Sequence, residues 1–276
     1  MPISDEAEDR LRLVSSRQNA LVKDLRRAFV EGEPTSDGGV AIEGVRIIEE
    51  ALRSGLRFQA VFFSENGRKH AARLLPQISS QTEALLLPDS VFSGAVSTDT
   101  PQGVAALVKL KTFKLEDLLD PGGVPLIIAV AGIQDPGNLG TIIRSAEAFG
   151  ARGVLLGEKT VHATNPKAIR AAAGSAFREP LVPVKLREAI ARVKQNGLRV
   201  VASSSHKGKP LDQVDFTGPL AVLIGNEGAG LPSEILAQAD ELTRIPHSGR
   251  VESLNAGIAA AIFLYEISRQ RGNKTG

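Results

Sequence analysis

The sequence predicts an α/β protein in which a small N-terminal α/β unit precedes a mostly parallel sheet flanked by helices. Two observations carry this. From Pro125 onward short apolar strands alternate with segments of helical period, the pattern of strands covered on both faces. Three glycine-rich polar segments follow apolar runs: D-P-G-N-L-G-T-I-I-R at Asp135–Arg144, I-G-N-E-G-A-G-L at Ile224–Leu231, and I-P-H-S-G-R-V-E-S-L-N at Ile245–Asn255. Such segments present backbone amides and small side chains at strand ends, where open α/β sheets bind ligands.

In the first half, Leu21, Val22, Leu25 and Phe29 give Arg17–Phe29 a helical spacing, with Lys23, Arg26 and Arg27 left for solvent. Gly44–Ser54 repeats the pattern and stops at Gly55. Gln59–Ser64, Ala84–Leu87 and Gly103–Leu110 read as strands. Around Lys111–Val124 a Pro-Gly-Gly run breaks regular structure, which divides the chain into residues 1–112, a linker 113–123 and a domain 124–276. Beyond it the order is strand Leu126–Ala131, helix Leu139–Phe149 and strand Gly153–Leu156. A helix then opens at Asn165-Pro166, with Asn as N-cap and Pro at the first helical position, and closes at Gly174. Strand Leu181–Val184, helix Leu186–Gln195, and strands Leu198–Ser203 and Leu220–Gly225 follow. The series ends in helix Ser233–Ala239, strand Leu242–Ile245 and helix Ser253–Arg269.

Composition removes several chemistries. With no cysteine among 276 residues, disulfides, thiolate–metal sites and cysteine nucleophiles are excluded. The acidic start M-P-I-S-D-E-A-E-D-R resembles neither a secretory signal nor a transit peptide, so a cytoplasmic protein is expected. The longest apolar stretch, Ala256–Ile267, falls short of the roughly 20 residues that span a bilayer, and no membrane association is expected. Net charge is +2, yet Thr141–Val200 holds 11 Lys/Arg against 4 Glu and so carries +7. A stripe of this kind suits a polyanion such as nucleic acid, although solvated helix faces look similar.

Common nucleotide motifs fail. G-N-E-G-A-G at Gly225–Gly230 is not the dinucleotide fingerprint, and S-S-S-H-K-G-K-P at Ser203–Pro210 lacks the phosphate-loop pattern. No G-x-S-x-G elbow occurs. His70, His162, His206 and His247 have no ligand spacing, so no metal is expected and each reads as an exposed or capping residue.

The candidate residues have structural readings of their own. Asn138 would serve as a helix N-cap and Arg144 as a surface ion-pair residue. Ser253 would cap the last helix. Glu227 lies between Gly225 and Gly228 just after a strand, where a solvated carboxylate would not need flanking glycines. Asn255, read as lying inside the last helix, has little helical reason to be there.

Taken together, the three segments resemble the SpoU/TrmH class of the SPOUT superfamily, S-adenosylmethionine-dependent RNA ribose 2′-O-methyltransferases. N-L-G-T-I-I-R-S-A-E-A-F-G at Asn138–Gly150 is similar to that family's first motif, G-N-E-G-A-G-L to its second and I-P-H-S-G-R-V-E-S-L-N to its third. Ser16–Lys23, Ile42–Arg46 and Pro101–Ala106 resemble the small RNA substrate-binding domain of ribosomal RNA members. The resemblance implies a homodimer, a C-terminal trefoil knot and S-adenosyl-L-methionine held by Ser203, Gly225, Ile245 and Leu254. It also implies a catalytic group of Asn138, Arg144, Glu227, Ser253 and Asn255. Arg17, Lys23, Arg26, Arg46, Lys167, Arg170 and Arg178 would meet RNA phosphates. His247, Ala256-Gly257 and Ala172 depart from residues common in the family.

The implied reaction is in-line methyl transfer, in which positioning contributes up to roughly 7–11 kcal/mol. An arginine whose pKa exceeds about 12 serves better as an electrostatic stabiliser of a developing alkoxide than as a base. The extra N-terminal domain tilts the expected substrate toward large-subunit ribosomal RNA. The competing readings are a transfer RNA ribose methyltransferase, a base methyltransferase and a non-catalytic RNA-binding or ribosome-assembly factor.

Overall fold

A computed structural model of the protein describes residues 9–119, 122–248 and 250–272. The chain starts with strand β1 (Leu11–Leu13) and helix α1 (Ala20–Glu31), which Asn19 caps by accepting from the Leu21 amide at 3.0 Å. Next come β2 (Val40–Glu43), α2 (Val45–Arg53), β3 (Arg57–Ser64), α3 (Ala71–Leu74), β4 (Glu83–Leu87), α4 (Asp89–Ser93), β5 (Val104–Lys109) and α5 (Leu115–Leu118). The second half contains β6 (Leu126–Val130), α6 (Pro136–Ala148), β7 (Gly153–Leu156), α7 (Pro166–Ala172), β8 (Leu181–Pro183), α8 (Leu186–Gln195) and β9 (Arg199–Ser204). It ends with β10 (Lys209–Pro210), β11 (Leu220–Ile224), α9 (Ser233–Leu236), β12 (Glu241–Arg244) and α10 (Ala256–Gln270). Residues 1–8, at the acidic start, and 120–121, within the Pro-Gly-Gly break, lie outside the described residues.

By contacts the chain divides into two units, Met1–Lys111 with Thr164–Phe177, and Thr112–Ala163 with Arg178–Gly276. The first is built on a five-stranded mixed sheet of order β1-β4-β3-β5-β2. Along β3 successive side chains alternate between two cores: Val61 and Phe63 pack with Ile48 and Leu74, whereas Ala60 and Phe62 pack with Leu25 and Phe92. Ile169 of α7 and Phe177 belong to the first of these cores. Helix α7 ends at Ala172, and its C-cap is Ala173 where Gly174 was expected to close it. Ala173 itself takes the left-handed conformation (φ 51°) usually left to glycine, and its amide donates to Arg170 O.

The second unit is a seven-stranded sheet of order β10-β12-β9-β11-β6-β7-β8 in which every pair is parallel. Central strands β6 and β11 are buried along their whole length, which is why both read as uninterrupted apolar runs. Because β12, β9, β11 and β6 are parallel neighbours, their C-terminal ends lie along one edge of the sheet. The 205–208 segment after β9 and the three motif loops all leave from that edge. None of the described helices is long and apolar enough to cross a membrane.

Candidate active site

The first motif turns off β6 into α6. Asp135 is the N-cap, accepting from the Asn138 amide at 2.8 Å, and Pro136 takes the first helical position. Asn138 is therefore not the cap that its position suggested. Standing in the first turn with its amide already satisfied by Asp135, it keeps its side chain for other partners.

The second motif is a closed turn after β11. Asn226 N donates to Gly230 O at 3.2 Å and Gly230 N to Asn226 O at 2.9 Å. The Asn226 side chain fills the loop, accepting from Gly228 N (2.9 Å) and Ala229 N (3.0 Å) and donating to Gly132 O (3.0 Å). Sequence reasoning passed over this organising role of Asn226, and its signal was an Asn followed by small residues, the pattern of an Asx turn. Gly225 is required by space, since a Cβ there would stand 2.4 Å from the Gly230 carbonyl carbon.

The third motif runs from β12 into α10, with Gly249 outside the described residues. Asn255 is the N-cap of α10, accepting from Ile258 N at 3.1 Å, so it precedes the helix in which it was expected. Ser253 lies two residues earlier and does not cap.

These loops converge. Asn138 Nδ2 donates to Glu227 Oε1, Asn255 Nδ2 donates to Asn138 Oδ1 at 2.8 Å, and Ala256 N approaches Glu227 Oε1 at 3.4 Å. One side chain from each motif thus joins a single network, with the half-buried Glu227 carboxylate as its anionic end. Helix α10 packs on α6 so closely that a Cβ on Gly257 would lie 3.1 Å from Thr141 Cβ.

A cavity of about 240 Å³ opens beside the network. Ser203, Gly225, Glu227, Ile245, Ser253 and Leu254 all line it, which brings together the four positions assigned to donor binding and two assigned to catalysis. Ile224, Leu231 and Phe263 supply an apolar slot suited to a flat base, and Ser203–Ser205 with Glu227 supply polar and anionic groups suited to a sugar and a cationic centre. This lining fits S-adenosylmethionine. His247, one of the departures, also faces the cavity.

Arg144 stands apart. It is exposed on α6, outside both the network and the cavity lining, and its side chain has no partner among the described residues. Six of the seven expected phosphate-binding residues, Arg17, Lys23, Arg26, Arg46, Lys167 and Arg170, are in the first unit and exposed. Arg17 donates to Ser90 O at 3.1 Å, and Arg170 lies 3.9 Å from Glu43. Arg178, in the second unit, pairs with Glu147 at 2.5 Å.

Comparison with known families agrees with this geometry. Residues 125–265 match the model of the SpoU rRNA methylase family. The chain belongs to that family. Residues 19–106 match an MRM3-like substrate-binding domain. Among curated relatives, the 23S rRNA (guanosine(2553)-2′-O)-methyltransferase RlmP of Bacillus subtilis is 32% identical over 257 residues, covering 93% of this chain and 99% of the relative. Among solved structures, an AdoMet-bound rRNA methyltransferase from Sinorhizobium meliloti superposes with a TM-score of 0.83 at 30% identity, over 94% of this chain and 98% of that one. The SpoU methyltransferase AviRb from Streptomyces viridochromogenes gives 0.79 at 30% identity, over 92% and 98%. The resemblance drawn from the three motifs is thereby borne out, as is the α/β fold class with its parallel sheet.

Proposed function

We propose that the protein transfers a methyl group from S-adenosylmethionine to a ribose 2′-hydroxyl of large-subunit ribosomal RNA. The carrying observation is the Asn138–Glu227–Asn255 network, which ties one residue of each motif to the rim of the cavity. Bound there, the donor supplies an electrophilic methyl on a sulfonium whose positive charge disappears as the methyl leaves. Asn138 and Asn255 hold the ribose in line, and Glu227 fixes Asn138 while favouring a cation nearby. Such positioning is worth up to roughly 7–11 kcal/mol.

Arg144 stabilises the alkoxide that develops as the 2′-hydroxyl passes its proton to solvent water and its oxygen takes the methyl. Since Arg144 lies outside its own cavity, a second copy supplies it. Ile258, Ala261, Ile262 and Tyr265 form a stripe at helical spacing on α10 that is open to solvent, with Ile258 and Tyr265 more than half exposed. Thr141, Arg144 and Ala148 recur at the same spacing on α6, whose Thr141 packs on Gly257 and whose neighbouring Phe149 ring meets Tyr265 edge-on at 6.2 Å. A homodimer through this surface covers the stripe and carries Arg144 to the partner's site. The trefoil knot and the cytoplasmic location belong to the same proposal.

Mapping ribose methylation on ribosomal RNA from a strain lacking the protein tests the reading. Loss of a 2′-O-methyl at one position is expected. Unchanged ribosomal RNA with a missing methyl on transfer RNA, or no change at all, contradicts it.

A further inference from the structure

Of the three sequence motifs of the first unit, none of which the active site uses, two, Ile42–Arg46 and Pro101–Ala106, meet around a second cavity of about 540 Å³. They are locked together at its edge. Gln102 Oε1 accepts from Val45 N at 3.3 Å, and Gln102 N donates to the buried carboxylate of Glu43 at 3.4 Å. Thr98 Oγ1 donates to the same carboxylate. Gly103, which lines the cavity, is pressed against Gly67 so tightly that a Cβ on Gly67 would lie 1.8 Å from Gly103 O. Val45, Phe92 and Pro101 give an apolar side. Asp89 also lines the cavity, fixed by Asn66, whose backbone and side-chain nitrogens donate to it at 3.1 and 2.6 Å.

What marks this cavity as a binding site is its set of unspent polar groups. The side chains of Lys69 and His70 and the Nε2 amide of Gln102 line it and have no partner among the described residues. Burial, followed by the cations Lys69 and Arg73, holds His70 below its ordinary pKa, so its ring offers one donor and one acceptor at neutral pH. An apolar wall, a cation and fixed donors and acceptors, in a volume within the roughly 300–1,000 Å³ of small-molecule sites, match the parts of one nucleotide.

We infer that this cavity receives a single unpaired, unstacked nucleotide of the RNA, with the base against Val45 and Pro101 and read by Gln102, and the phosphate on Lys69. The inference rests on the RNA substrate proposed above and adds that the first unit selects a loop by base identity instead of gripping a duplex. A duplex buries its base edges and cannot fill such a cavity.

The test uses the full chain and a pool of RNA hairpins with one fixed stem and a seven-nucleotide randomised loop, with the stem as a blunt duplex for comparison. Bound RNA is sequenced and affinity measured across a salt series. Enrichment of one base at a single loop position, by about fivefold or more, and a clear preference for loops over duplex are expected. Gln102→Ala is expected to erase the enrichment while the chain stays folded, its melting temperature lower by no more than the few degrees that loss of the Val45 N bond explains. Lys69→Ala lowers affinity and reduces the slope of log affinity against log salt by about 0.7, one single-strand phosphate. Equal binding of duplex and loops, absence of positional enrichment, or enrichment surviving in Gln102→Ala overturns the inference. Failure here with methyl transfer intact refutes the cavity alone. Loop selection without methyl transfer refutes instead the enzymatic reading.

Discussion

Replacing Gly225 by alanine probes the donor cavity through one atom. The added Cβ would lie 2.4 Å from Gly230 C and 2.6 Å from both Gly230 O and Leu231 N, all backbone atoms that cannot swing aside. Restoring ordinary carbon contact requires the Gly230–Leu231 segment to retreat by about 1 Å. That movement pulls against the two Asn226–Gly230 backbone bonds. Overpacking of this kind costs about 1–3 kcal/mol, and each weakened hydrogen bond adds roughly 0.5–1.5 kcal/mol. If the donor binds only the closed turn, about 2 kcal/mol of closing energy appears as a loss of about thirtyfold in donor affinity. Calorimetric titration with S-adenosylmethionine reads this directly, and the melting temperature should fall by a few degrees. Gly228→Ala is the matched control in the same loop, because its Cβ would meet only Asn226 Oδ1 at 3.6 Å, an ordinary contact. Donor affinity preserved in Gly225→Ala, or lost equally in Gly228→Ala, refutes the argument.

Arg144→Ala should abolish methyl transfer with donor affinity unchanged by calorimetry. Mixed dimers of Arg144→Ala and Asn138→Ala chains should regain a fraction of activity if Arg144 serves the partner's site, and no regain places it in its own. Glu179 is buried, and its carboxyl is pushed up to about 8, first by burial and then by Glu147. Above the unfolded value near 4.5 the unfolded chain ionises while the native one stays protonated, so this group lowers stability as pH rises from about 4.5 to 8, by a few kcal/mol in all. Glu179→Gln should flatten that decline in melting temperature; a decline as steep as in the parent protein contradicts it. RNA affinity should fall steeply with salt if the six exposed cations of the first unit meet phosphates as expected from the sequence, and a flat dependence rejects that role.

Much of the fold was readable because local and tertiary signals agree. Strand β7 and helix α8 fall on the residues that periodicity marks, with Leu186, Ala189, Ile190 and Val193 on one buried face. The short strands β1, β2 and β10 were missed. Val40–Glu43 follows Gly38-Gly39 and spans four residues, and β10 is two residues long, so neither repeats enough to show a period. Helix α6 starts three residues before its expected first residue, Leu139, because Pro136-Gly137 reads as a breaker, whereas proline at the first helical position is favourable. That the 164–177 segment packs with the first unit is tertiary information that periodicity does not carry.

At the candidate site, residue types and order were legible and their pairing was not. Asn138 meets Glu227 only because β6 and β11 are neighbours in the sheet, and Asn255 joins them only because α10 begins there. Sheet order is a long-range property. Arg144 was grouped with the catalytic residues through family resemblance, and the single chain leaves it outside the cavity.

Methyl transfer to a ribose at the junction of the three loops can be read directly by incubating the protein with ribosomal RNA lacking the modification and isotopically labelled S-adenosylmethionine, then digesting the RNA to nucleosides for mass spectrometry. Label is expected in a 2′-O-methylated nucleoside and is expected to be absent when Asn138 is replaced by alanine. Label on a base, or label undiminished in that variant, contradicts this reading.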